Sequence, residues 1–260
     1  MTNEHLYPHF HPDEHRFVDK AAEWVARAEQ HDVKLTDFLD PRQAYILTTL
    51  VQRSADVHVR FEGGHPDAER RRALVAPDYR VLDGEDMGIR LLSVESPDEK
   101  LGQLDHGDYM GAILGLGIKR EKIGDIHVRP DGCHVVAASE VADFIRLHLS
   151  QVHRVQVRTE LLPLDQLRIV QTQLEEMSFT VASMRLDGIA GDVWRLSRAK
   201  VLVPIKAGRC KVNWKQTEDP SHPLRQGDVV SLQGFGRFKL MEVEGTTKKG
   251  RIRVKIGKYV

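Results

Sequence analysis

The sequence predicts an α+β protein in three pieces. A small N-terminal α/β domain takes residues 1–77, and a ferredoxin-like (RNA-recognition-like) βαββαβ domain takes 78–162. After a linker at 163–183, a basic domain over 184–260 closes on a β-hairpin. Three observations lead there. A chain of 260 residues exceeds one minimal domain. The middle third alternates short apolar strands with helical repeats in the order βαββαβ. Charge is divided unevenly: 38 Lys+Arg and 38 Asp+Glu cancel overall, yet residues 184–260 hold 17 Lys+Arg against 7 Asp+Glu, and residues 1–183 hold 21 against 31. A basic block on an acidic body is the composition of a polyanion-binding module attached to something else.

Taken in order, His11–Gln30 reads as a helix. Pro12 suits a first turn, and Phe17, Ala21, Trp24, Val25 and Ala28 recur at helical spacing. Asp40-Pro41 opens a second helix through Ala44, Leu47, Leu50 and Val51. Val57, Val59 and Phe61 alternate with His58 and Arg60 as in a strand. Gly63-Gly64-His65-Pro66 breaks it, and Asp67–Leu74 reads as a short helix.

The middle domain begins with an apolar strand, Ile89–Val94. A helix over Asp105–Leu116, stopped by Gly117, precedes a strand over Ile123–Val128. Arg129-Pro130-Asp131-Gly132 is a turn into a strand over Cys133–Ala137. Ser139 is expected to cap a helix to Leu149 with Val141, Phe144, Ile145 and Leu149 apolar, and the last strand is expected over Val152–Arg158. The inner strands contain no Phe or Tyr to stack on bases, so any RNA contact there would run through charges.

In the basic block, Met184-Arg-Leu-Asp187 begins one short helix and Leu196-Ser-Arg-Ala-Lys200 another, with Ser197 as N-cap. Pro204 falls inside the second and should kink it or unpair a carbonyl. Strands follow over Arg209–Trp214 and Gly227–Leu232. The hairpin pairs Arg237–Glu244 with Arg251–Lys258.

Several classes are excluded or disfavoured. No apolar run approaches the roughly 18 residues of a membrane span, and the polar N-terminus is not a secretory signal. Cys133 and Cys210 are too few for a disulfide scaffold or a Cys-based zinc cluster, and a reducing cytoplasm is the simplest compartment. Gly111, Gly115 and Gly117 fail as a phosphate loop because Arg120 takes the last glycine position. His9, His11 and His15 raise metal binding, against a solvated terminus as the default. His106 and Asp108 could do acid–base chemistry, but a helix start explains them as capping groups. The expectation is no enzyme, no cofactor and no metal.

Arg185-Leu-Asp187, then Leu196-Ser-Arg-Ala-Lys200, then Ile205, Gly208, Val212 and Asn213, then Gly227-Asp-Val-Val230 together resemble an S4 RNA-binding domain. Phe38-Leu-Asp-Pro-Arg-Gln43 and His106-Gly-Asp-Tyr-Met-Gly111 through Ile126 extend the resemblance to the YlmH-type bacterial S4-domain proteins, over nearly the whole chain. The resemblance implies a C-terminal S4 domain and a cytoplasmic RNA-binding protein of the large ribosomal subunit, and a monomer is expected. Its partners would be ribosomal RNA and peptidyl-tRNA, in rescue of obstructed nascent chains. Subunit assembly, a cell-division role and an RNA-modifying enzyme with an S4 targeting domain are the alternatives. On that reading Arg185, Arg198, Lys200 and Lys211 match the basic positions of the S4 surface. Arg195, Ser197, Lys206, Arg209 and Lys215 complete it. Arg251, Arg253 and Lys255, on one face of the last strand, form a second RNA-binding surface, with a solvated strand face as the plainer alternative.

Overall fold

The computed structural model describes residues 6–96, 104–170 and 174–259, and the chain divides into two units, 1–170 and 171–260. Residues 171–173 of the expected linker lie outside the described residues.

The first unit opens with α1 (His15–Glu29), β1 (Lys34–Leu35), α2 (Pro41–Val51), β2 (Val57–Glu62) and β3 (Arg72–Pro77). Asp40 caps α2 by accepting the Gln43 N–H, and Gln43 reaches back to the Asp40 N–H, which satisfies two otherwise orphan donors. The strands form an antiparallel sheet in the order β1-β3-β2. Val18, Ala21, Trp24 and Val25 of α1 pack with Leu47 and Leu50 of α2 against Ala73 and Val75 of β3. The helix expected over Asp67–Leu74 is not formed. Its first half is turn and its second half enters β3, which is buried at every position. Pairing decides this: Glu62 sits opposite Arg72 and Val57 opposite Pro77, so a helix would forfeit a whole ladder and both faces of a buried strand.

The sheet of the middle region is built from β4 (Ile89–Glu95), β5 (Ile123–Arg129), β6 (Gly132–Ala138) and β9 (Arg158–Leu162). It carries α3 (His106–Gly115) and α4 (Ser139–His148), with a small β7–β8 hairpin (Gln151–Val152, Val155–Gln156) before β9. The order is β5-β6-β4-β9, antiparallel throughout, which is the ferredoxin-like arrangement. Tyr109, Ile113 and Ile145 of the helices cover Leu92, Val94, Cys133 and Val135 on one face. Two local readings differ from expectation. Ser139 is the first helical residue and Ala138 the cap, because the Ser139 N–H is spent on the Gly88 carbonyl. The strand expected over Val152–Arg158 is the hairpin, turning at His153 with φ 54°, and β9 pairs with β4 only from Arg158 onward.

The second face of this sheet is covered as well. Val136, Ala138 and Ile89 pack with Phe38, Leu74, Ala76, Leu82 and Met87, so the back of the N-terminal sheet and the back of the middle sheet share one core. The face that an RNA-recognition sheet offers to bases is therefore closed by the chain's own N-terminal portion.

The second unit begins inside the segment expected as a linker. Residues 174–181 form β10 (Leu174–Val181), which pairs along its whole length with the last strand. Then come α5 (Leu186–Trp194), α6 (Arg198–Lys206), β11 (Cys210–Val212), β12 (Lys215–Thr217), β13 (Val229–Leu232), β14 (Gly236–Thr246) and β15 (Ile252–Tyr259). The sheet order is β10-β15-β14-β13-β11-β12. Ile189, Ala190 and Val193 of α5 and Val201 and Ile205 of α6 pack on Val230, Phe238, Leu240, Val254 and Ile256. Pro204 stays inside α6, and the helix continues past it through the Ala207 N–H to Val203 O bond. The missing N–H is that of Pro204 itself, so only the carbonyl four residues earlier loses its partner.

Candidate nucleic-acid interface

Arg185 is the N-cap of α5, and Asp187 lies one residue into the helix with its side chain 2% exposed. Arg185 forks onto Asp187 with Nε and Nη2 each donating at 3.1 Å. Arg198, the first residue of α6, adds Nε at 3.0 Å and Nη2 at 2.8 Å to Asp187 Oδ2. Ser197 caps α6, its hydroxyl accepting from the Lys200 N–H at 3.4 Å. One buried carboxylate thus holds the two helix starts together through two guanidiniums.

The sequence reading places Arg198 among the basic positions of the S4 surface. In the structure Arg198 is also half of the clamp on a buried charge. The two roles are compatible. Each guanidinium has five N–H donors in a rigid fork and spends Nε and Nη2 on Asp187, which leaves Nη1 pointing away from the clamp. Arg251 lines the same depression of about 240 Å³, tied to Thr180 through its hydroxyl at 2.9 Å and its carbonyl. Three positioned arginines share one concavity in which Asp187 and Asp192 are the acidic lining residues.

Burial by itself would raise the Asp187 carboxyl. Hydrogen bonds from Arg185 and Arg198, and their charges, outweigh it and hold the group below the usual carboxylate range. A depressed folded pKa means stability that is present above the unfolded value, near 3.9, and lost as pH falls through the folded value. We expect Asp187→Asn to destabilise the second unit by about 1–2 kcal/mol at pH 7. The difference between variant and parent in urea melts should begin to shrink as pH drops below about 4 and vanish only below the lower, folded value; a pH-independent difference would refute the assignment.

The remaining cations fall into two groups. Arg195 occupies the left-handed C-cap of α5 (φ 53°), Lys200 the first turn of α6 and Lys206 its last. Arg209 follows Gly208, Lys211 is the outward residue of β11 between buried Cys210 and Val212, and Lys215 begins β12. All six are exposed, and none makes a side-chain ion pair or hydrogen bond among the described residues. By contrast, Lys255 is bound to Glu176 at 2.8 Å and Arg253 faces Glu244 at 3.8 Å. The tail strand is thus largely neutralised by acids of β10 and β14, which favours the plainer reading for Arg253 and Lys255. Arg251 belongs to the arginine depression instead. The signal that was missed is Glu175-Glu176, assigned to a linker and so not weighed as a neighbour of the last strand.

A ferredoxin-like sheet in one unit, and in the next a helix pair on a sheet with clamped arginines and unpaired cations, define a class. This is a modular α+β protein with a basic surface of the kind that engages nucleic-acid phosphates. The chain belongs to the YlmH family. Residues 13–80 match the family description "YlmH, N-terminal" and residues 83–166 match "Putative RNA-binding domain in YlmH". The chain is 40% identical over 250 residues to the ribosome-associated protein quality control protein P2 of Bacillus subtilis (strain 168), covering 96% of each. Among solved structures it is similar to the cell division protein ylmH from Streptococcus pneumoniae. That match has a TM-score of 0.55 and 26% identity, over 63% of this chain and 99% of that one.

Proposed function

We propose that this chain is a non-enzymatic RNA-binding protein that docks through its C-terminal, S4-type unit on structured RNA of the large ribosomal subunit. Its role on this reading is ribosome-associated quality control of obstructed nascent chains, with peptidyl-tRNA as a further contact and a monomer as the working form. The carrying observation is the second unit's surface: positioned Arg185, Arg198 and Arg251 beside unpaired Arg195, Lys200, Lys206, Arg209, Lys211 and Lys215. The name of the Bacillus subtilis relative supports the ribosomal setting, and the name of the Streptococcus pneumoniae structure keeps a cell-division role as the second reading. Thiol catalysis is disfavoured, since burial pushes the Cys210 thiol up to about 12 and raises that of Cys133 as well, so neither is a ready thiolate. No helix among the described residues is long and apolar enough to cross a membrane.

The test is sedimentation of tagged protein with ribosomes over a salt series. Co-migration with the large subunit is expected, and six phosphate contacts would give a log–log salt slope of about −4 to −5. Protein that stays at the top of the gradient at every salt concentration would overturn the proposal.

A further inference from the structure

The first unit holds a cluster that the RNA-binding reading does not use. His65 lies in the Gly63–Arg71 connection between β2 and β3, while Asp125 and His127 lie on β5, Asp125 within the register shift between Ile123 and Ile126. The connection is tight: a Cβ on Gly63 would stand 2.4 Å from Ala68 Cβ and 2.6 Å from the Arg70 carbonyl oxygen. It is also fixed to β5, because the Asp125 carboxylate accepts the N–H of Glu69 at 2.7 Å and that of Arg70 at 3.1 Å.

His65 and His127 are thereby brought to a ring-centroid separation of 5.2 Å, with side chain and residue exposures of only 7% and 8%. Both ring nitrogens of His65 and Nε2 of His127 are buried without a hydrogen-bond partner. The nearest candidate, Asp125 Oδ2, is 3.6 Å from His65 Nε2, beyond hydrogen-bonding range. One donor atom from each of the three residues lies within 4.8 Å of the others, and this is the group of three or more such residues found among the described residues. His9, His11 and His15, the histidines the sequence pointed to, do not converge. His11 caps a helical turn through the Asp13 N–H, and His15 stacks on Tyr7 at 4.0 Å.

We propose that His65, Asp125 and His127 form a binding site for one divalent transition cation of the Zn²⁺ type. Two imidazoles and a carboxylate are a borderline-soft donor set that suits Zn²⁺ over Mg²⁺ or Ca²⁺, and three protein ligands leave a fourth position for water. Bond lengths of about 2.0–2.1 Å place tetrahedral ligand atoms about 3.3 Å apart. The His65–Asp125 pair is already near that spacing, and small ring rotations close the rest. Nδ1 of His127 accepts the Val170 N–H at 3.4 Å, so in the neutral ring Nε2 carries the proton. Ligation through Nε2 moves that proton to Nδ1 and gives up this long bond, with no net proton released. The cation would staple the β2–β3 connection to the middle sheet.

The experiment is a Zn²⁺ titration of the full chain, stripped with EDTA, against a chromophoric chelator. It is paired with a thermal melt and with Co²⁺ absorption as a geometry probe. One equivalent of Zn²⁺ is expected, with tetrahedral Co²⁺ bands and a raised melting temperature for the first unit. His65→Asn and His127→Gln should each weaken Zn²⁺ binding at least tenfold, while the double variant His9→Ala/His11→Ala retains it. Because His127 lies in a sheet, His65→Asn is the deciding variant, and its metal-free melt should match the parent. Absence of saturable uptake, undiminished uptake by His65→Asn, or loss confined to the His9/His11 variant would each overturn the site.

Discussion

Arg72→Met is expected to destabilise the first unit by about 2–4 kcal/mol, the cost of losing several charge-assisted hydrogen bonds from one buried guanidinium. Arg72 is 2% exposed, yet every arm of its guanidinium is placed. Nε donates to the Thr36 carbonyl at 2.8 Å and Nη1 to the Gly88 carbonyl at 2.7 Å, and Nη1 and Nη2 meet the Glu140 carboxylate at 3.2 and 3.0 Å. These partners come from the segment after β1, the entry to β4 and the first turn of α4, so one side chain joins the N-terminal sheet to the middle domain. Methionine fills the volume but takes from the buried Thr36 carbonyl its guanidinium donor, at about 1–3 kcal/mol, and leaves the Gly88 carbonyl with the Ser139 N–H alone. Gly88 is fitted to the same contact. Its φ is +60°, and a Cβ there would come within 2.8 Å of Arg72 Nη1. Arg72→Lys should recover only part of the loss, since a point charge cannot span three directions. With two units the whole chain need not melt in one step, so the measurement needs a local probe. Trp24 is the one tryptophan of the first unit; Trp194 and Trp214 lie in the second and can be replaced by Phe in the background. A midpoint shift worth less than about 1 kcal/mol would show that Arg72 is not the joint.

The largest effect on binding should come from Lys200, Lys206, Arg209 and Lys211 changed together to Ala. We expect RNA affinity to fall by about 10²–10³-fold, or about 3–4 kcal/mol, and the salt slope to become shallower by about 3–4. All four are exposed and unpaired, so the melt of the second unit should move by less than about 0.5 kcal/mol per site. Arg253→Ala with Lys255→Ala is the comparison. Their charges already serve Glu244 and Glu176, so the pair should matter far less to RNA than the four unpaired cations. Loss from the Arg253/Lys255 variant alone would place RNA on the tail strand instead of the α6–β11 surface.

Much of this protein was legible in its residues, because the signals were local. Ser197 and Asp40 cap the helices they precede, the charge imbalance marks the basic unit, and the βαββαβ order follows from apolar spacing. Motifs such as Arg185-Leu-Asp187 and Leu196-Ser-Arg-Ala-Lys200 carried the family. What the residues could not carry was pairing across long separations. Residues 67–74 resemble a helix until β2 offers a ladder, and residues 174–181 resemble a linker until β15, more than seventy residues later, needs an edge partner. Asp187 becomes the anchor of two arginines only when α5 and α6 pack, and His65 reaches Asp125 and His127 only when the β2–β3 connection folds onto β5. Propensity, capping and composition act over a few neighbours, so sequence alone determined the α1–α6 helices, the βαββαβ order of the middle domain and the basic module. Burial, strand pairing and charge neutralisation act between residues that only the folded chain makes neighbours. Tertiary structure therefore decided which cations stay unpaired, which sheet face is closed and where the histidines meet.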